Sequence, residues 1–122
     1  MDNNEKIVYV ATHFKDSPEK ALIPFVLANA SYAMDVNPVI IVQGEGVNLA
    51  VKGRAAEIVH APFDPLEKLF NSYAEQGGQL LVCSPCLKAR GLDEKDLVPN
   101  ARIVGAAKVI EEITSAKTVL SY

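Results

Sequence analysis

Three apolar runs stand out from the polar background of the chain: Lys6-Ile7-Val8-Tyr9-Val10-Ala11, Pro38-Val39-Ile40-Ile41-Val42 and Gln79-Leu80-Leu81-Val82. Each is short, nearly continuous and mostly rich in β-branched residues, the pattern of a strand covered on both faces rather than one with a solvated side. Arg102-Ile103-Val104 and Thr118-Val119-Leu120 repeat it more weakly. Helical segments fall between these runs. Ser17 and Pro18 open one, with Ser17 as cap and Pro18 at the first position, and it continues to about Met34. Asp64-Pro65-Leu66-Glu67 opens another, with Asp64 as cap, and Gly77-Gly78 stops it. Short turns follow at Ser84 to Gly91 and Asp93 to Leu97, and a last helix covers Ala106 to Ser115. Gly44-Glu45-Gly46 makes a sharp exit from the second strand, Val47 to Val51 reads as a helical turn, and Gly53 to Ala61 reads mostly as loop.

Strands alternating with helices imply right-handed crossovers, and so an α/β fold of three layers, α/β/α, around a mostly parallel sheet of about five strands. The expectation is a single domain over residues 1–122. The first helix carries Leu22, Ile23, Phe25, Val26, Leu27, Ala28 and Ala30, which spreads apolar side chains around most of its circumference. A helix of that kind needs cover on more than one side, which points to contact with another subunit.

Composition narrows the function classes. With 49% apolar and 22% charged residues the chain reads as a folded domain rather than a disordered one. A net charge of −3, with Lys and Arg scattered, provides no basic stripe for nucleic acid. The polar start Met1-Asp2-Asn3-Asn4-Glu5-Lys6 lacks the pattern of a signal peptide, and the apolar run Ala21 to Ala28 is broken by Pro24 and too short to span a membrane. The expected setting is the cytoplasm, where a structural disulfide does not persist, so the cysteines read as reactive or metal-binding groups.

The chemistry therefore centres on Cys83-Ser84-Pro85-Cys86, at the end of a buried strand and the start of a helical turn. Open amides at a helix start stabilise a thiolate, so Cys83 is expected to have a lowered pKa, helped by Lys88 and Arg90 in the turn that follows. Cys86, one turn along, is a resolving thiol, a second sulfur carrier, or a small buried side chain. Zinc needs about four ligands, and the remaining candidates are His13 and His60, far apart in sequence, so no metal is expected within one chain. His13, at the end of the first strand, is either a proton donor or partner for the thiolate or a solvated loop residue. Glu45 faces the same edge and can touch a substrate, a partner or a neighbouring subunit. Gly44-Glu45-Gly46 lacks the dinucleotide and P-loop fingerprints, and no cofactor is implied.

Gly78-Gln79-Leu80-Leu81-Val82-Cys83, followed by Leu87-Lys88-Ala89-Arg90-Gly91-Leu92, resembles the signature of the DsrE/DsrF-like (TusD-like) sulfur-relay family, in which a strand ends in cysteine and an Arg-Gly pair follows. The second strand leading into Glu45-Gly46-Val47 is also similar, so the resemblance spans essentially the whole chain. It implies that Cys83 carries sulfur as a persulfide or thiosulfonate, exchanged with a TusA-like or rhodanese-like protein, and that copies assemble as a dimer, trimer or hexamer. Cys86 has no counterpart in some of these members. Two other readings remain open: a dithiol/disulfide redox protein using Cys83 and Cys86, and a non-catalytic oligomeric scaffold that binds a small ligand.

Overall fold

The computed structural model describes residues 5–122, and Met1 to Asn4, on which the signal-peptide expectation partly rests, lie outside the described residues. Five strands, β1 (Lys6–Ala11), β2 (Asn37–Val42), β3 (Leu80–Cys83), β4 (Ala101–Val104) and β5 (Thr118–Ser121), form one sheet in the order β4-β3-β2-β1-β5. All four pairings are parallel. The helices are α1 (Pro18–Ala33), α2 (Leu66–Glu75), α3 (Ser84–Ala89) and α4 (Ala106–Ser115).

The pleat sorts each buried strand into two layers, because successive side chains point to opposite faces. Tyr9, Ala11, Ile40, Val42, Leu80 and Val82 join the larger core with Leu22, Phe25 and Ala28 of α1, Leu66, Phe70 and Tyr73 of α2, and Leu87 of α3. Val8, Ile41 and Leu81 face the other way with Val104, against Val109 and Ile113 of α4. The connections from β1 to β4 step along the sheet in one direction, and right-handed crossovers keep their helices on one face. The return from β4 to β5 runs the opposite way and puts α4 on the other face. β4 and β5 are the two edges, which accounts for their weaker apolar signal.

Two helix starts differ from the pattern expected. Ser17 occupies the cap position of α1, but its side chain makes no cap hydrogen bond. The turn is closed instead by the Ser17 amide donating to the Phe14 carbonyl at 3.2 Å. In α2, Pro65 is the cap residue, at φ −54 and ψ 142, rather than the first helical one. Asp64 is thereby moved outside the helix, where it pairs with Lys68 at 3.5 Å. Both Gly44–Ala50 and Arg54–Glu57 form 3-10 turns, so the stretch expected to be mostly loop holds one short helical turn.

The Gly44–Ala50 turn folds back onto the end of β1. Gly44 needs its positive φ of 55 for the sharp exit. Gly46 has a different reason to be glycine: a Cβ there would lie 2.0 Å from the Ala11 carbonyl oxygen and 2.7 Å from its carbon. Both obstacles are backbone and cannot swing aside. The turn is then fastened by Asn48, whose Nδ2 donates to the Glu45 carbonyl at 3.0 Å and whose Oδ1 accepts from Arg54 at 2.7 Å. The Arg54 guanidinium lies over the Phe14 ring, 4.6 Å from its centre.

Gly46→Ala is expected to cost about 3 kcal/mol, the upper range for overpacking, because one of two backbones must move. Urea unfolding of the variant checks this, and an unchanged midpoint would show that the turn gives way freely.

Candidate functional site

Parallel sheets expose their carboxyl ends along one edge, where chain reversals leave room for a ligand. Here that edge presents, in spatial order, Val104, Cys83, Val42, Ala11 and Ser121, followed in sequence by Gly105, Ser84, Gln43, Thr12 and Tyr122. Cys83 closes β3 and caps α3, at φ −60 and ψ 116. Because α3 follows without an intervening loop, Cys86 comes around one turn later on the same side. Both cysteines are free and half-buried, with their sulfurs 2.8 Å apart.

Arg90 and Glu45 complete the arrangement. Arg90 follows α3, and its Nη1 donates to the Cys86 carbonyl at 3.0 Å. Its Nε and Nη2 both lie 2.9 Å from Oε2 of Glu45. The Glu45 side chain is 52% exposed, so this pair contributes little to stability. Its importance is geometric: it ties the Gly44–Ala50 turn to the thiol helix. Lys88 is exposed, and Arg90 is the cation whose charge reaches both sulfurs.

The sulfurs differ electrostatically. Burial pushes the Cys83 thiol up, and the hydrogen bond with Cys86 adds to this, against smaller opposing effects of the Cys86 amide and Arg90. For Cys86 burial also opposes the anion, but the Cys83 hydrogen bond, the Gly44 amide and Arg90 together bring it below the ordinary thiol value. The expected lowering at Cys83 is thus corrected. In the singly ionised pair the anion is favoured on Cys86, which gains from the Cys83 hydrogen bond and then the Gly44 amide, while at Cys83 burial outweighs the Cys86 amide. At 2.8 Å the two sulfurs share one proton.

Cys83 borders an apolar cavity of about 170 Å³, whose walls include Gln43, Pro85, Val104, Ala106, Val109 and Ile110. Cys86 is not among its lining residues. A larger hollow of about 420 Å³ lies around Pro99 to Ile103, at the opposite end of β4, and touches neither thiol.

His13 is on the same edge but is not brought to the sulfurs, since β2 lies between β1 and β3. Two strand spacings amount to about 10 Å. Its Nδ1 is 2.5 Å from Oδ2 of Asp16, while Oδ1 of Asp16 accepts from the Phe14 amide at 2.7 Å. That amide bond, followed by the His13 hydrogen bond, holds the Asp16 carboxyl below its usual range. His60 is exposed and stacks on Phe63. Among the described residues no three His, Cys, Asp or Glu side chains gather to hold a metal ion, and no helix is long and apolar enough to cross a membrane. The Gly44 amide, the Gln43 wall and the α4 side of the cavity were not readable from the sequence, because each reaches the thiols only through the fold. Asp16 had a local signal, its spacing of three from His13.

The comparisons with known proteins bear on the family and the fold. Over 98 residues the chain is 33% identical to the Protein TusC homolog of Vibrio parahaemolyticus, covering 80% of each chain. It is 28% identical over 102 residues to an uncharacterized protein of Methanocaldococcus jannaschii, matching 84% of this chain but spanning only 37% of that longer one. Among solved structures, the ychN protein from E. coli superposes with a TM-score of 0.80, covering 97% of this chain and 99% of that one at 18% identity. A protein of unknown function from Methanobacterium thermoautotrophicum does so with a TM-score of 0.72, at the same identity and coverages. These structural likenesses show the shared α/β fold. The model of the DsrE/DsrF-like family matches residues 5–122, and the chain belongs to that family.

Proposed function

We propose that this protein is a cytoplasmic sulfur-relay protein in which Cys83 carries sulfur between partner proteins. The observation that supports this reading most directly is the half-buried thiol at the end of a central strand, opening on an apolar cavity. Family membership and the likeness to a TusC homolog favour the same role. Loading begins when the shared proton moves to Cys86, leaving Cys83 as the thiolate. That thiolate attacks the outer sulfur of a donor persulfide, from a TusA-like or rhodanese-like protein. The donor S–S bond breaks, the donor leaves as a thiolate, and Cys83 becomes a persulfide. An acceptor thiolate then takes the outer sulfur in the same way. Polarisable sulfur suits apolar walls such as Val104, Val109 and Ile110. Glu45 and Arg90 position Cys86 beside Cys83 and present a charged rim to the partner, with His13 further along that rim.

The sulfur separation of 2.8 Å favours a second reading, reversible dithiol exchange. Mild oxidation without a persulfide donor, followed by peptide mass mapping, checks this reading: a dithiol protein forms the Cys83 to Cys86 disulfide in step with the redox buffer, and no disulfide would remove it.

Self-association forms part of the proposed role. Within one chain α1 keeps Ile23, Val26 and Leu27 only half-buried and leaves Met34 66% exposed. Leu27 and Met34 line one apolar hollow with Ile7 and Val36. Substituting both Leu27 and Met34 by Glu is expected to shift the sedimentation coefficient toward that of a monomer, and an unchanged value would remove this face from the assembly.

After incubation with a persulfide donor, intact mass spectrometry is expected to find Cys86→Ser chains about 32 Da heavier, with the added sulfur on Cys83, and no such gain in Cys83→Ser. An unmodified Cys83 in Cys86→Ser, beside a control carrier that loads, would sink the relay reading. The pH dependence follows from the same electrostatics. Alkylation of the pair is expected to begin below the ordinary thiol pKa of about 8.5. Arg90→Gln removes a charge that favours the anion and moves that onset to higher pH. Equal profiles in the two proteins would show that Arg90 has no influence on ionisation.

A further inference from the structure

Two thiols held in contact allow a reaction that a single sulfur carrier lacks. Cys83 borders the apolar cavity and Cys86 does not, while Cys86 Sγ lies 2.8 Å from Cys83 Sγ. The cavity beside Cys83 offers room for the outer sulfur of a persulfide, and Cys86 is not part of its lining. A thiolate displaces a leaving group from sulfur in line with the bond that breaks, so an outer sulfur held in the cavity leaves Cys83 Sγ open to the thiol 2.8 Å away.

We propose that Cys86 discharges the loaded protein, attacking Cys83 Sγ and expelling the outer sulfur as hydrosulfide, so that an unclaimed sulfur is released rather than stored. The inference rests on the persulfide reading of Cys83 and adds an activity to it. The step balances: the Cys86 thiolate and the Cys83 persulfide become the Cys83 to Cys86 disulfide and HS⁻. One S–S bond forms as another breaks, and the negative charge passes to the hydrosulfide. Two electrons move from the thiol pair to the departing sulfur. A dithiol reductant then returns the disulfide to two thiols, with oxidation of its own sulfurs to a disulfide.

The surroundings of Cys86 fit an attacking group. The Gly44 amide and the Arg90 charge favour its anion, and the proton that loading leaves on Cys86 passes to the departing donor thiolate. Glu45 holds Arg90 in place through the two 2.9 Å contacts. The walls of the cavity direct the two outcomes to different atoms. An acceptor protein entering from the cavity meets the outer sulfur and takes it, whereas Cys86 reaches the inner sulfur from the opposite side. Relay and release then compete for the same persulfide, and the presence of an acceptor decides between them.

The test uses the full chain, reduced and kept free of oxygen, loaded with cysteine persulfide and separated from excess donor by gel filtration. Wild-type protein is expected to release one sulfide per chain and to become two hydrogens lighter, with the disulfide mapped to Cys83 and Cys86. Cys86→Ser and Cys86→Ala are expected to lose the sulfide release and to stay about 32 Da heavier at Cys83. Far-UV circular dichroism of both variants confirms that they are folded. If wild type keeps its added sulfur as long as the folded variants do, the discharge is overturned while the carrier reading stands. If neither the variants nor wild type gains sulfur on Cys83, the carrier reading itself fails, and the discharge with it.

Discussion

The arrangement of the thiol edge depends on how closely two backbones can approach. Where the chain leaves β2 it turns back over the end of β1, and only a residue without a Cβ at position 46 leaves room for the Ala11 carbonyl. This contact sets the height of the Gly44–Ala50 turn above the sheet. From there the Gly44 amide reaches Cys86, and Glu45 reaches Arg90. A turn standing higher would leave the sulfurs beside solvent and Arg90 without its carboxylate partner. Thiol ionisation is thus linked to a steric contact on a neighbouring strand, through Asn48 and Arg54, which brace the same turn.

A second constraint is the burial of β3 on both faces. Leu80, Leu81 and Val82 are each at most 3% exposed, which leaves the position of Cys83 little freedom. A rigid strand therefore ends in a half-buried thiol, with an apolar cavity toward α4 on one side and a polar clamp on the other. This asymmetry gives neighbouring cysteines, three residues apart, different surroundings. One faces hydrocarbon walls suited to a bound sulfur atom, and the other faces an amide and a guanidinium suited to a negative charge.

Much of the fold was legible along the chain. The uninterrupted apolar runs at Ile7 to Ala11, Val39 to Val42 and Leu80 to Val82 identify strands covered twice over, and their alternation with helical segments leaves a parallel three-layer arrangement as the economical solution. The helix Ala106–Ser115 has the bounds expected from the sequence. The helix starts at Ser17 and Asp64 were less well described. A capping residue type indicates where an open amide is available, but the hydrogen bond depends on the backbone angles of the preceding loop.

The sequence by itself determined the layers of this protein and the chemical group at its edge, since apolar periodicity and a Cys-Ser-Pro-Cys run after a strand are local features. Which sulfur carries the charge was decided only by the tertiary structure. The hydrogen bond between the thiols, with the amide of Gly44 some forty residues before Cys86 adding to it, favours the Cys86 anion, and burial overrides the expected effect of the short helix on Cys83. Ionisation responds to everything within a few ångströms regardless of its distance along the chain, and so it follows from packing rather than from spacing.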